Sequence, residues 1–264
     1  MLPIYLDYMA TTPLDPRVLT KMQSVLAGDR YFGNANSQHF YGREASHLIE
    51  AARIAVGALL TVKAREIIFT DSATIALNMA ILGLAFSPHF AHKKHIITTA
   101  TEHKAILAIC EYLKESFQYE IEMLLPNEQG LYDLNQLAEK IREDTLCVAM
   151  LWVNNEIGVI NDIVTIDQIC ERHHTFLVVD AVQAAGKITL DLSHSAIALL
   201  ALSAHKMYGP KGIGALYIRH DLQKKLSPIV FGGANELGFH VGTQATHQIV
   251  GLGEAAIIAK HIRD

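Results

Sequence analysis

The chain has 264 residues, enough to bury a sizeable core as one large α/β domain or two small ones. Half of them are hydrophobic and 19% are charged, which excludes a disordered chain, and a net charge of -5 without a basic stripe of interleaved aromatics excludes a nucleic-acid partner. Three cysteines without CxxC spacing suit a reducing compartment, no basic stretch opens the chain, and no apolar run reaches membrane-spanning length. A cytoplasmic protein acting on a small molecule, with no membrane partner, is therefore expected.

In chain order, a short strand-like opening leads to Asp15-Pro16, which reads as the N-cap and first residue of a helix carrying Val18, Leu19, Met22, Val25 and Leu26, with Gly28 as its stop. A polar stretch over 28–38 precedes a longer helix with Ala45, Leu48, Ile49, Ala52, Val56 and Leu59 on one face. Strands and helices then alternate. Strand 66–69 precedes a helix from about Thr74, strand 95–98 a helix from about Ala105, and strand 120–124 a helix over 134–141. Strands 146–152 and 177–179 flank a helix around 166–170, strands 199–202 and 215–218 follow, and a last helix runs over about 246–262 without a C-cap glycine. This rhythm predicts an α/β fold with a mostly parallel sheet covered by helices on both faces.

Ligands in such sheets bind beyond the carboxyl ends of the strands, so the residues after each strand are the informative ones. Ser72-Ala73-Thr74 opens a helix after one strand, and Thr101-Glu102-His103-Lys104 follows the next. Asn154-Asn155-Glu156, Asp180-Ala181-Val182-Gln183 and Ser203-Ala204-His205-Lys206 follow three more. Each residue has an ordinary structural use as well: Asp180 could cap a turn, Ser72 and Thr74 could cap a helix, and Lys206 could be solvated. Together, a lysine, a strand-end carboxylate, an imidazole, amides and a helix start fit pyridoxal phosphate. Lys206 would form the Schiff base, Asp180 would pair with the ring nitrogen, and His103 would lie over the ring and move protons. The helix start at Ser72, Ala73 and Thr74 would take the phosphate together with Ser203 and His205, while Asn155 and Gln183 suit a phenolic oxygen or a carboxylate.

Other chemistries find no motif: there is no GxxxxGK[ST], no GxGxxG after a strand, no HExxH and no GxSxG. His89, His92 and His95 have a metal-like look, but Pro88 and polar surroundings favour a solvated loop, and no metal site is expected.

The chain resembles the cysteine desulfurases of iron–sulfur cluster assembly. The match is carried by Tyr5-Leu6-Asp7-Tyr8-Met9-Ala10-Thr11-Thr12-Pro13, Thr101-Glu102-His103-Lys104-Ala105, Val153-Asn154-Asn155-Glu156-Ile157-Gly158-Val159, Val179-Asp180-Ala181-Val182-Gln183 and the stretch from Ser203 to Gly214. The resemblance implies the large domain of a fold type I pyridoxal phosphate enzyme over 16–264, with 1–15 on the side of the small domain, and a homodimer. It implies that Lys206 and His103 are catalytic. Lys206 would carry the cofactor, Asp180 would pair with its ring nitrogen, Gln183 would contact the phenolic oxygen, and Thr74 with neighbouring Ala73, Ser203 and His205 would hold the phosphate. Thr243 would reach the neighbouring subunit's phosphate, and Asn155 would face the substrate.

The implied reaction converts L-cysteine to L-alanine, passing sulfur to an enzyme persulfide and then to an acceptor or scaffold protein. The chain departs from the family pattern at Ile75-Ala76-Leu77, at Glu236-Leu237 and at His240-Val241 before Gly242-Thr243. It also ends at Asp264, before the C-terminal small domain whose cysteine accepts the sulfur, so an incomplete activity is expected. Cys110, Cys147 and Cys170 read as core thiols in helix, strand and helix. An alternative of another class is a non-catalytic cofactor-binding or scaffold protein derived from a desulfurase. The last helix favours it, since Leu252, Ala255, Ala256 and Ile262 would need a covering partner. A lyase or aminotransferase is a third reading, against which the Thr-Glu-His-Lys and Asn-Asn-Glu-Ile-Gly motifs count.

Overall fold

Short apolar runs bounded by polar turns become the strands of one sheet in the computed structural model, which describes residues 3–233 and 235–263. The strands are β1 (Ile67–Thr70), β2 (His95–Thr99), β3 (Glu120–Leu124), β4 (Thr145–Leu151), β5 (Phe176–Asp180), β6 (Leu199–Ser203) and β7 (Gly214–Ile218). Their order is β1-β7-β6-β5-β4-β2-β3. The five strands from β6 to β3 run parallel, each linked to the next through a connection long enough for a helical crossover. β7 is antiparallel to both neighbours, because the turn after β6 is too short for a crossover and returns the chain directly.

The helices are α1 (Pro16–Leu26), α2 (Phe40–Leu60), α3 (Ala73–Ala85), α4 (Lys104–Phe117), α5 (Leu134–Lys140), α6 (Ile163–Arg172) and α7 (Thr246–Arg263). They cover the two faces separately. Val18, Ile49, Val56, Ile166 and Leu252 from α1, α2, α6 and α7 join the core on one face. Leu77, Ile81, Ile106 and Leu113 from α3 and α4 join the core on the other. All four residues of β1 and all seven of β4 are buried, as a doubly covered sheet requires, whereas β3 is a half-exposed edge that carries Glu120 and Glu122.

Local chemistry starts the helices where the sequence signals them. Asp15 accepts from the Arg17 amide with Pro16 in the first helical position of α1, and Asp133 and Asp162 cap α5 and α6 in the same way. The C-terminal helix corrects one expectation: Leu252, Ala255 and Ala256 are buried within the chain against α1 and α2, and of the four residues named only Ile262 stays exposed. Gly253 makes that packing close, since a Cβ there would lie 2.7 Å from both the Cα and Cβ of Ala52.

The opening segment is not a strand. Its backbone bonds go instead to local turns and to the turn after β6, with the Thr12 amide donating to the His205 carbonyl at 3.0 Å, so no sheet partner is left for it. His89 and His92 are exposed, but His95 is not in a solvated loop: it opens β2, is buried, and its Nδ1 bonds Thr145 Oγ1 at 2.8 Å. Among the described residues no helix is long and apolar enough to cross a membrane.

Candidate functional site

A cleft of about 880 Å³ opens over the carboxyl ends of β2, β4, β5 and β6, where a doubly wound sheet concentrates its unpaired strand ends. Lys206, His103, Asp180, Gln183, Ser203, His205, Ala73, Thr74 and Asn155 all line it, although they come from five separate stretches of sequence. Thr243 does not; it is exposed and outside the cleft.

Lys206 sits in a single helical turn that begins as β6 ends, and it is half-buried. Its Nζ donates to the Met9 carbonyl. Burial pulls the amine below the usual lysine range, while the carboxylates of Asp180, Asp7 and Glu156 oppose that shift. A lowered lysine spends more time neutral, the form able to bond an aldehyde carbon. The turn is pinned from the N-terminal segment: Thr12 Oγ1 donates to the His205 carbonyl at 3.0 Å and accepts from the Tyr208 amide at 2.8 Å. That second bond helps hold Tyr208 in the left-handed region, with φ 62°.

Asp180 closes β5 and is 3% exposed. Its Oδ1 accepts from the Val182 amide at 2.9 Å, and among the described residues Oδ2 has no partner. Burial raises its carboxyl above the usual range, against the Val182 amide, His103 and Lys206, which favour the ionised form. A carboxylate in this state needs a cationic partner from outside the chain, and a protonated ring nitrogen is one. His103 lines the same cleft as the N-cap of α4, its Nδ1 accepting from the Ala105 amide at 3.1 Å, and among the described residues its Nε2 has no hydrogen-bond partner.

The far end of the cleft is a helix start. Ser72 caps α3 by accepting the Ile75 amide, so the Ala73 and Thr74 amides are left without acceptors among the described residues, at the positive end of the helix dipole. β7 passes close behind. A Cβ on Gly214 would lie 2.8 Å from the Ser72 carbonyl carbon and 2.9 Å from the Ala73 nitrogen, so only glycine lets this strand support the loop. Ser203 is buried beside it, and His205 Nδ1 bonds Thr11 Oγ1 at 3.1 Å. Burial, with Lys206 and Lys211, lowers the His205 pKa and favours a neutral ring.

Gln183 is oriented at both ends, its Nε2 donating to the Met9 carbonyl at 2.8 Å and its Oε1 accepting from Lys187 at 2.6 Å. One of its N–H groups remains for a ligand. Asn155 is half-buried and donates to Glu156, while its buried neighbour Asn154 shapes the turn by binding the Thr101 carbonyl and the amides of Glu156 and Ile157. Sequence reasoning gave Asn154 no role of its own and passed over the Met9 carbonyl shared by Lys206 and Gln183, Lys187, and the burial of Glu102. Each depends on contacts far apart in sequence, and the motif over residues 5–13 was the only visible signal for the Met9 contact. The cysteines are all buried, and none lines the cleft.

An amine poised to be neutral, a carboxylate oxygen without a partner, a free imidazole nitrogen and an anion-ready helix start fit the aldehyde, pyridine and phosphate of pyridoxal phosphate. The comparisons agree. The cysteine desulfurase IscS of Shewanella loihica is 49% identical over 262 residues, which is 98% of this chain and 64% of that protein. That of Ruthia magnifica is 49% identical over 261 residues, with the same coverage. The chain thus spans slightly less than two thirds of the length of these curated relatives. Among solved structures, one described as SspA in complex with cysteine matches at TM-score 0.91 and 38% identity, over 96% of this chain and 72% of that one. A NifS-like protein matches at 0.93 and 36%, over 98% and 70%. A profile of the aminotransferase class-V family matches residues 4–263, and on that match the chain belongs to this family of pyridoxal phosphate enzymes.

Proposed function

We propose that this chain carries the cofactor and substrate half of a cysteine desulfurase, which takes L-cysteine to L-alanine and passes the sulfur through a persulfide to an acceptor for iron–sulfur cluster assembly. The observation that carries the reading is the convergence of Lys206, Asp180, His103 and the α3 start on one cleft. Its relatives are named cysteine desulfurases, and one of the similar structures is a complex with cysteine, which supports the same substrate class. Residues 16–264 would form the cofactor-binding unit, with 1–15 on the side of the small domain, in a cytoplasmic homodimer.

Bound in the cleft, pyridoxal phosphate supplies an electron sink for negative charge developing at the substrate Cα. The chain supplies the rest. Lys206 holds the cofactor through Nζ and can return or remove a proton at the substrate Cα. Asp180 Oδ2 keeps a proton on the ring nitrogen. His103 Nε2 is free to move a proton at the substrate's reacting groups, Gln183 donates to the phenolic oxygen, and Asn155 faces the substrate. The Ala73 and Thr74 amides, Ser203 and His205 receive the phosphate, and Thr243 acts on the partner subunit's phosphate. The three buried cysteines lie outside the cleft, so the sulfur-accepting thiol is supplied by something other than Cys110, Cys147 or Cys170.

The test is spectroscopic. Added pyridoxal phosphate should produce a visible absorption band that is absent in Lys206→Ala, and L-cysteine, but not L-serine, should change that band and yield L-alanine when a small thiol is present as sulfur acceptor. A band that survives Lys206→Ala would refute the cofactor site. A band that forms but ignores L-cysteine would refute the desulfurase reading and favour a non-catalytic cofactor-binding protein.

A further inference from the structure

Three buried side-chain polar atoms among the described residues lack a hydrogen-bond partner: Glu102 Oε2, Asp167 Oδ1 and His240 Nδ1. Of their three residues, Glu102 alone lines the cleft. It leaves β2 by a two-residue turn and points back into the sheet, where Oε1 accepts from Thr99 Oγ1 at 2.5 Å and from the Leu151 amide at 3.1 Å. Leu151 is the register partner of Asp180 across β4 and β5. Two carboxyl groups therefore stand in the floor of one cleft, Glu102 beyond the end of β2 and Asp180 at the end of β5 with β4 between them, and Glu102 has no ion pair among the described residues.

We propose that Glu102 is a positioning residue held as a neutral carboxylic acid, whose proton leaves Asp180 the sole negative charge on the cleft floor and so able to hold the cofactor's ring-nitrogen proton. The inference rests on the role given above to Asp180. Both available donors converge on Oε1, so the proton sits on Oε2. Burial is the largest influence on Glu102 and pushes its carboxyl up to about 8, with Asp180 adding to the shift and the two hydrogen bonds opposing it. The groups facing this pair leave the assignment intact. Cys110 on α4 is a neutral thiol, pushed by burial up to about 12, and His103 and Lys206 favour the ionised form of Asp180, not of Glu102. Ionising both buried carboxyls in one cleft floor would cost more than protonating the one that no cation faces.

The sign of the pH dependence follows. Glu102 has a folded-state value above its usual 4.5, so its contribution to stability is fully present below 4.5 and is lost as pH rises through about 8. Urea unfolding of the cofactor-free protein from pH 5 to 8 should therefore show the unfolding constant of the wild type rising relative to that of Glu102→Gln by about tenfold per pH unit. In an Asp180→Asn background the same comparison should level off at lower pH, because the neighbouring charge is gone. With pyridoxal phosphate bound, the wild-type visible band should show a transition near pH 8 that Glu102→Gln lacks. Should Glu102→Gln not fold, an infrared titration of Asp180→Asn alone decides, through a carboxylic-acid carbonyl band that persists above the usual 4.5 and is lost at a pH below the wild-type value of about 8. Parallel stability curves for wild type and Glu102→Gln, or no such infrared band, would overturn the proposal. The expected stability curves in a protein that forms no visible band would keep the protonated Glu102 and overturn its link to the cofactor.

Discussion

Glu236→Ala removes one carboxylate and strands four donor groups from three residues. Its Oε2 and Oε1 receive both terminal nitrogens of Arg53, at 2.7 and 2.8 Å, its Oε2 also receives the Phe69 amide at 2.8 Å, and its Oε1 receives Gln244 Nε2 at 2.5 Å. The two charged side chains are 1% and 11% exposed, and the Arg53 guanidinium lies 4.7 Å from the centre of the Phe69 ring, so water cannot replace the lost partner. Breaking a buried pair of this kind costs about 3–5 kcal/mol, because the surviving charge keeps only the exposed Glu50 carboxylate, at 2.9 Å from Arg53 Nε, as an ionic partner. At about 2–4 °C per kcal/mol for a chain near this size, the melting midpoint should fall by about 6–20 °C. The same carboxylate holds Glu236 and Leu237 in the left-handed region at φ 49° and 57°, a conformation that costs non-glycine residues and persists only under such a clamp. Urea titration followed by circular dichroism measures the loss. The double substitution Arg53→Met with Glu236→Leu should recover part of it, since an apolar pair leaves no buried charge. A loss below about 1 kcal/mol for Glu236→Ala would refute the clamp, because even an exposed ion pair contributes up to that amount.

Other substitutions probe the cleft and the core. In Gly214→Ala the new Cβ would meet only backbone atoms, the nearest being the Leu202 carbonyl oxygen at 2.7 Å, so strand and helix start must separate. A stability loss of about 1–3 kcal/mol is expected, together with weaker binding of pyridoxal phosphate, and unchanged melting and binding would show that the contact yields freely. Burial pushes Cys110 and Cys170 up to about 12 and Cys147 well above the usual thiol value. A thiol reagent at pH 8 should accordingly label no cysteine in the native protein and all three in urea; a fast-reacting thiol in the native state would reopen the question of an internal sulfur acceptor.

What the sequence disclosed follows from how locally each feature is encoded. Strand runs, the Asp15-Pro16 helix start and the polar residues after each strand are properties of neighbouring residues, and all are where the pattern put them. The opening segment reads as strand-like, yet a strand exists only if an edge accepts it, and here the turn after β6 takes its hydrogen bonds. The last helix reads as needing a cover because Leu252, Ala255 and Ala256 are apolar; α1 and α2, more than 190 residues earlier in the chain, provide it.

The same distance separates the cleft's visible residues from those that orient them. Lys206 is legible as a strand-end lysine, but the carbonyl that receives its Nζ belongs to Met9, and Gln183 is tied to that same carbonyl. No periodicity connects residue 9 with residues 183 and 206. Fixing both side chains to one backbone atom makes the N-terminal segment part of the site: its displacement would release the amine and the amide together, where a loop that merely shielded the cleft would release neither. A cleft organised this way can keep Lys206 half-buried and easily neutralised, which is the state the chemistry requires.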